Sequence, residues 1–197
     1  MGSGNDTLTM GDTLVDDDLN GGAGNDRVIA VFTDQTTRTP TMVAFETLEA
    51  TFNSTVTFDG AKVDGLQTID LNASVGRADF NRMDSTLKTL NILGNPAQGL
   101  EVDYDGKAFA ELTVNVLGKT NAIGNAGNDY AIQVINADVF AFNHNGTEDL
   151  DVDDGIRVDD NFTGRHTTDV TITNNSVGDL DFDDGFPDSV IVDGNTV

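Results

Sequence analysis

The sequence predicts an all-β chain built as a parallel β-helix or β-solenoid. Three observations carry that reading. Four segments repeat one pattern at nearly constant spacing, each alternates apolar and polar residues, and Gly, Asn and Asp punctuate the intervals between them. Alternation of period two is the mark of a half-buried strand, and a fixed period of about 20–50 residues is the mark of a repeat architecture.

The four segments are FETLEA from Phe45, LQTIDL from Leu66, LKTLNI from Leu87 and FAELTV from Phe109, spaced 21, 21 and 22 residues apart. A second short alternating run follows each of the first three, at Val56/Phe58, Ala78/Phe80 and Leu100/Val102/Tyr104. Two strands per repeat of this length suit one coil of a solenoid, whose apolar face is buried only when coils stack. Leu48, Ile69, Leu90 and Leu112 then take the same place in four successive coils, while Asp70 points outward. A helical reading is disfavoured, because Gly and Asn interrupt every run and Thr and Val are abundant. A β-sandwich is the alternative, since strands about ten residues apart also suit it. The chain divides into a Gly/Asp-rich segment at 1–32, a loop at 33–44 and the repeats with their acidic continuation at 45–197, all within one continuous domain.

Charge narrows the function. Among 197 residues, 34 are acidic and 10 basic, a formal net charge of −24. Nucleic acid and insertion into an anionic membrane are disfavoured, because both rely on Lys and Arg or on long apolar runs. Divalent cations are favoured. The hydrophobic share of 38%, with 11 Phe, argues against full disorder. With no Cys, there is neither a disulfide framework nor a thiolate site. The opening MGSGNDTLTM carries neither the basic nor the apolar region of a secretory signal. The chain starts inside a Gly-Asn-Asp motif and reads as a piece of something longer, or as a protein exported through a signal at its far end. His144 and His166 are the only histidines, and no Ser/His/Asp grouping is visible, so an enzyme is not expected.

Three stretches share a turn motif followed by a strand-like tail: MGSGNDTLT at 1–9, GGAGNDRVI at 21–29 and GNAGNDYAI at 124–132. They resemble the nonapeptide G-G-x-G-x-D-x-U-x of the RTX (repeats-in-toxin) calcium-binding β-roll. In that family six residues make a turn and three a strand, and calcium sits between turns on carbonyls and the sixth-position Asp. The resemblance implies calcium ligation by Asp6, Asp26 and Asp129. The turn residues are Asn5 in the first copy, Gly21, Gly22, Gly24 and Asn25 in the second, and Gly124, Gly127 and Asn128 in the third. Leu8, Val28 and Ala131 would point inward. GDTLV from Gly11 reads as a shortened copy with Asp12 in the aspartate role. The chain departs from the family in having Met1 and Asn125 at glycine positions and in a 20-residue step between its first two copies.

Two acidic runs add candidates. DLDVDDG from Asp149 and DLDFDDG from Asp179 lie 30 residues apart. On strands, Asp149, Asp151 and Asp153 face outward, as do Asp179, Asp181 and Asp183, and stacked coils set like charges about 4.8 Å apart. These carboxylates hold calcium between coils or at a subunit contact, or form a solvated strand edge. VDDDLN, with Asp16, Asp17 and Asp18, carries the same two readings. The spacing of DLDVDDG does not fit an EF-hand loop, since Asp154 stands where the sixth-position glycine belongs.

The phrases LQTIDLNAS and LKTLNILGN also resemble the strand repeats of RTX-type bacterial surface-layer (S-layer) proteins, which type I systems secrete. That resemblance implies an extracellular, calcium-binding structural protein at the bacterial cell surface, with copies of itself as partner in a lattice, sheath or filament. It also allows cell-surface polysaccharide as a partner. The alternatives are a spacer or binding module of a large secreted RTX adhesin or exoprotein, and a calcium-dependent polysaccharide lyase or epimerase.

Overall fold

The structure is a computed structural model that describes residues 1–124, 130–159, 167, 169–183 and 190–192. Among the described residues the chain is all-β, with one 3₁₀ turn at Gly60–Lys62. Every strand pairing among the described residues is parallel. An eight-stranded sheet stacks Thr7–Gly11, Arg27–Phe32, Thr47–Phe52, Thr68–Leu71, Thr89–Ile92, Glu111–Val116, Val139–His144 and Asp169–Asn174 in chain order. A six-stranded sheet stacks Val56–Asp59, Ala78–Met83, Leu100–Tyr104, Ile132–Ile135, Ile156–Asp159 and Val190–Val192. Two three-stranded sheets complete the set: Asp18–Asn20, Thr41–Val43 and Val63–Asp64, then Ala122–Ile123, Leu150–Asp153 and Leu180–Asp183. Parallel sheets whose successive strands advance by one rung are compatible with a β-helix.

Alternation decides which face is inside. Arg27–Phe32 and Thr47–Phe52 both bury every second residue. One inner row of the large sheet runs Leu8, Val28, Leu48, Ile69, Leu90, Val114, Phe142 and Ile172, each in register with the next. The middle members are fully buried, while Leu8 and Ile172 on the end rungs are only partly covered. Phe32 and Phe52 stack with centroids 4.7 Å apart, and Phe80 meets Phe52 edge-on at 5.5 Å. Offset and edge-to-face pairs of this kind add to what area burial contributes.

The register corrects one expectation. Leu48, Ile69 and Leu90 are neighbours as predicted, but the fourth member of their row is Val114 and not Leu112. The step from Thr89 to Thr113 is three residues longer than the step from Thr68 to Thr89. The extra length is taken up around Gly106, which has φ +69, and Phe109 is left 53% exposed. Leu112 is buried one inward position away, beside Phe140. The eight-stranded ladder runs from the Gly/Asp-rich segment at 1–32 into the repeats without a break. Residues 33–44, expected as a loop, contribute the strand Thr41–Val43.

The outer face of the large sheet carries a polar rail. Arg27 donates to Glu49 at 2.6 Å and to Asp70 at 3.0 Å. Asn91 donates to Asp70 at 2.8 Å, Asn115 to Asn91 at 3.1 Å and Asn143 to Asn115 at 3.1 Å. Each amide thus leans one rung toward the N-terminus, and the chain of dipoles ends on two carboxylates capped by a guanidinium. Asp70 does face outward, and the rail engages its carboxylate from two sides.

Candidate cation site

The Gly-Asn-Asp turns stack on one another. The Asp6 amide donates to Asp26 Oδ1 at 2.7 Å, and the Asp26 amide donates to Glu46 Oε2 at 2.6 Å. Asp6 itself accepts from the Gly2 amide at 3.1 Å, and Asn5 Oδ1 accepts from the Asn25 amide at 2.9 Å. The backbone repeats the pattern: Arg27 donates to the Asp6 carbonyl at 2.9 Å, and Glu46 and Thr47 both donate to the Asp26 carbonyl, at 3.0 and 3.1 Å. One carboxylate per rung therefore lines a column at a 20-residue step.

Asp26 is the centre of this column and is 1% exposed. Its Oδ2 atom is buried with no hydrogen-bond partner. A buried polar atom left unpaired costs about 1–3 kcal/mol, and more when it is charged. The Ala44 carbonyl oxygen lies near it. A Cβ built on Gly21 would lie 1.8 Å from the Ala44 carbonyl oxygen and 2.6 Å from Asp26 Oδ2. Gly22 (φ +103) presses against the carbonyl oxygens of Gly2 and Met1, and Gly24 (φ +140) against that of Gly4. These glycines let successive turns approach backbone to backbone more closely than a larger residue permits, with the Ala44 carbonyl and the Asp26 carboxylate both against Gly21. A carbonyl oxygen and a partnerless carboxylate oxygen are both hard donors of the type that calcium takes at about 2.3–2.6 Å. Among the described residues, no group of three or more His, Asp or Glu side chains is placed to hold a metal.

The other sequence candidates are distributed elsewhere. Asp12 accepts from the Thr33 amide at 3.1 Å and from Arg38 at 3.1 Å, and also from the Thr33 hydroxyl. The Thr33 hydroxyl, opposed by burial and aided by the Thr33 amide and Arg38, holds its carboxyl below the usual range. Asp16 accepts from the Thr39 hydroxyl, Asp17 from the Val15 amide at 3.2 Å, and Asp18 is exposed. None of these joins the Asp26 column.

Gly124 lies near Asp153, whose Oδ2 would be 3.9 Å from a Cβ at that glycine. Gly127, Asn128 and Asp129 lie outside the described residues, as does His166. Of the residues expected inside, Val28 and Ala131 are fully buried and Leu8 partly so.

The acidic runs stack as predicted, with Asp151 opposite Asp181 and the Asp153 backbone opposite that of Asp183. Leu150 and Val152 are buried while Asp149 and Asp151 are exposed. With Asn121 and Leu150, Asp149, Asp151, Asp179 and Asp181 line an open groove of about 370 Å³. Among the described residues the acidic ladder spans two rungs, Ala122 taking the place of Asp151 on the rung before.

Glu46 stood in the sequence only as a polar position of FETLEA and was not among the expected site residues. The signal was there in the step from Asp6 to Asp26, which lands on Glu46 when repeated. Sequence reasoning also missed the carboxylates on the outer face of the six-stranded sheet. Burial pushes Asp79 up despite Arg77 at 2.8 Å. Burial, then the Asp79 charge, pushes Glu101 up, and burial does the same for Asp103.

A carboxyl held above its unfolded value binds its proton more tightly in the folded chain. Its contribution is therefore most favourable at acid pH and is lost as pH rises through the folded value. Glu101→Gln removes that penalty. The variant is expected to have a higher urea midpoint than the parent at pH 7, with the gap closing near pH 3.5, where Glu101 is itself neutral. A midpoint lowered at pH 7 would contradict the assignment.

No family model, no curated protein and no solved structure matches this chain.

Proposed function

We propose that this chain is an extracellular structural module, a calcium-stiffened parallel β-solenoid that assembles with copies of itself into a surface layer, sheath or filament. The observation that carries the reading is the buried, unpartnered Asp26 Oδ2 beside the Ala44 carbonyl. Calcium would satisfy that atom and neutralise the column of Asp6, Asp26 and Glu46. The net charge of −24 supports the same reading, since like-charged molecules pack together only when cations intervene. Asp149, Asp151, Asp179 and Asp181 are exposed, on a surface where such bridging at a contact between copies would occur. Outside the cell, calcium is abundant enough to fill sites of Kd about 10⁻⁴–10⁻³ M.

Electron microscopy of the purified chain tests assembly. Ordered sheets or filaments are expected in about 10 mM calcium, dispersing on addition of EGTA. A chain that stays monomeric in calcium would instead be a spacer in a larger secreted protein.

A further inference from the structure

We infer that the cation site at Asp26 is completed from the following rung by Glu46 and the Ala44 carbonyl, so that the ion ties the second rung to the third and the cation column ends there. The inference rests on the calcium reading of Asp26 and adds two ligands that the Gly-Asn-Asp motif does not contain.

Geometry is the first support. The Ala44 carbonyl oxygen and Asp26 Oδ2 face one another across Gly21, at 1.8 and 2.6 Å from a single point above its Cα. An ion with bonds of about 2.3–2.6 Å joins oxygens up to about 5 Å apart, and these two lie within that span. Asp26 Oδ2 is buried and has no other partner. Glu46 is fixed beside it, because its Oε2 accepts the Asp26 amide at 2.6 Å. The bond matches that from the Asp6 amide to Asp26 Oδ1, so Glu46 stands to Asp26 as Asp26 stands to Asp6.

Charge along the column is the second. The residues before the register-matched Arg27, Thr47, Thr68 and Thr89 are Asp26, Glu46, Gln67 and Lys88. The backbone link persists along it, with Gln67 and Thr68 donating to the Glu46 carbonyl and Lys88 to that of Gln67. The side chains change from anion to amide to cation. A carboxylate column of three would be self-repelling without an ion, whereas Gln67 and Lys88 need none. The acidic character therefore stops at Glu46.

Ala44 fits the same picture. It holds φ +54, and its neighbour in the next rung, Gly65, holds φ +91. An alanine tolerates that conformation at a cost, which the surrounding contacts must offset.

Isothermal titration with calcium, beside thermal melts in calcium and in EGTA, tests this on the parent, Glu46→Gln, Asp26→Asn and Glu111→Gln. Glu46→Gln keeps an oxygen to accept the Asp26 amide and removes only charge. It is expected to weaken one class of calcium site at least tenfold or abolish it, as Asp26→Asn does. In EGTA it should melt at or above the parent, because repulsion with Asp26 is relieved. Glu111→Gln, an exposed acid outside the column, should bind as the parent. Should Glu46→Gln lose its β-sheet circular dichroism, Glu46→Asp serves in its place, with the shortened side chain again weakening one site. Parent-like titration of the Glu46 variants, with Asp26→Asn impaired, would overturn the role of Glu46 and leave calcium at Asp26 standing. A parent that binds no calcium would overturn both.

Discussion

Leu90→Ala is expected to lower stability by about 2–5 kcal/mol, the range for truncating a buried leucine. Leu90 is fully buried, with Ile69 in register on one side and Val114 on the other. Parallel neighbours lie about 4.8 Å apart, so the cavity opens between two packed side chains that strand pairing holds in place. Collapse around it is restricted, which puts the cost toward the upper part of the range. Lys88→Ala, two residues away, should change stability by no more than about 0.5 kcal/mol. The Lys88 side chain is 43% exposed, and its ammonium is 3.8 Å from the exposed Glu111, a surface pair of little worth. Urea unfolding of the two variants checks the contrast. A loss below about 1 kcal/mol for Leu90→Ala would mean that the inner row is not packed as described.

Much of the fold was legible because alternation and period are local properties. LQTIDL and LKTLNI have equal length and equal flanks, so their stacking could be read directly, and Ile69 does meet Leu90. FAELTV could not be placed the same way. Its apolar pattern survives a shift of two residues, since a strand keeps its inward face at every second position. Only the paired structure shows that the turn through Gly106 is longer and that Val114 occupies the place expected for Leu112.

The site divides along similar lines. GGAGND drew attention in the sequence, because three glycines before one aspartate mark a turn in which backbones approach closely, as they do at Gly21, Gly22 and Gly24. Glu46 did not, since a glutamate in a strand-like segment is ordinary until its hydrogen bond to the Asp26 amide is seen. The Arg27–Glu49–Asp70 grouping was equally hidden. Its members come from three repeats, and sequence alone does not show which outward positions coincide.

Withdrawing calcium is the second change expected to have a large effect, and it bears on the central claim most directly. For a site of Kd about 10⁻⁴–10⁻³ M in roughly 10 mM calcium, binding to the folded chain alone contributes about 1.4–2.7 kcal/mol. For a chain of this size that is a shift of roughly 3–11 °C in Tm per site. Several sites together would rival the usual net stability of about 5–15 kcal/mol. The unpaired Asp26 Oδ2 adds to the contrast, because without an ion the folded chain bears its burial uncompensated.

Magnesium is the control. It screens the charge of −24 as calcium does, yet demands a tighter octahedral cage at about 2.0–2.1 Å. The deciding measurement is therefore the thermal melt of the chain in about 10 mM calcium, in the same concentration of magnesium, and in EGTA. The Tm in calcium is expected to lie at least several degrees above both others. Coincident melts in calcium and EGTA, or equal stabilisation by magnesium and calcium, would contradict the calcium reading.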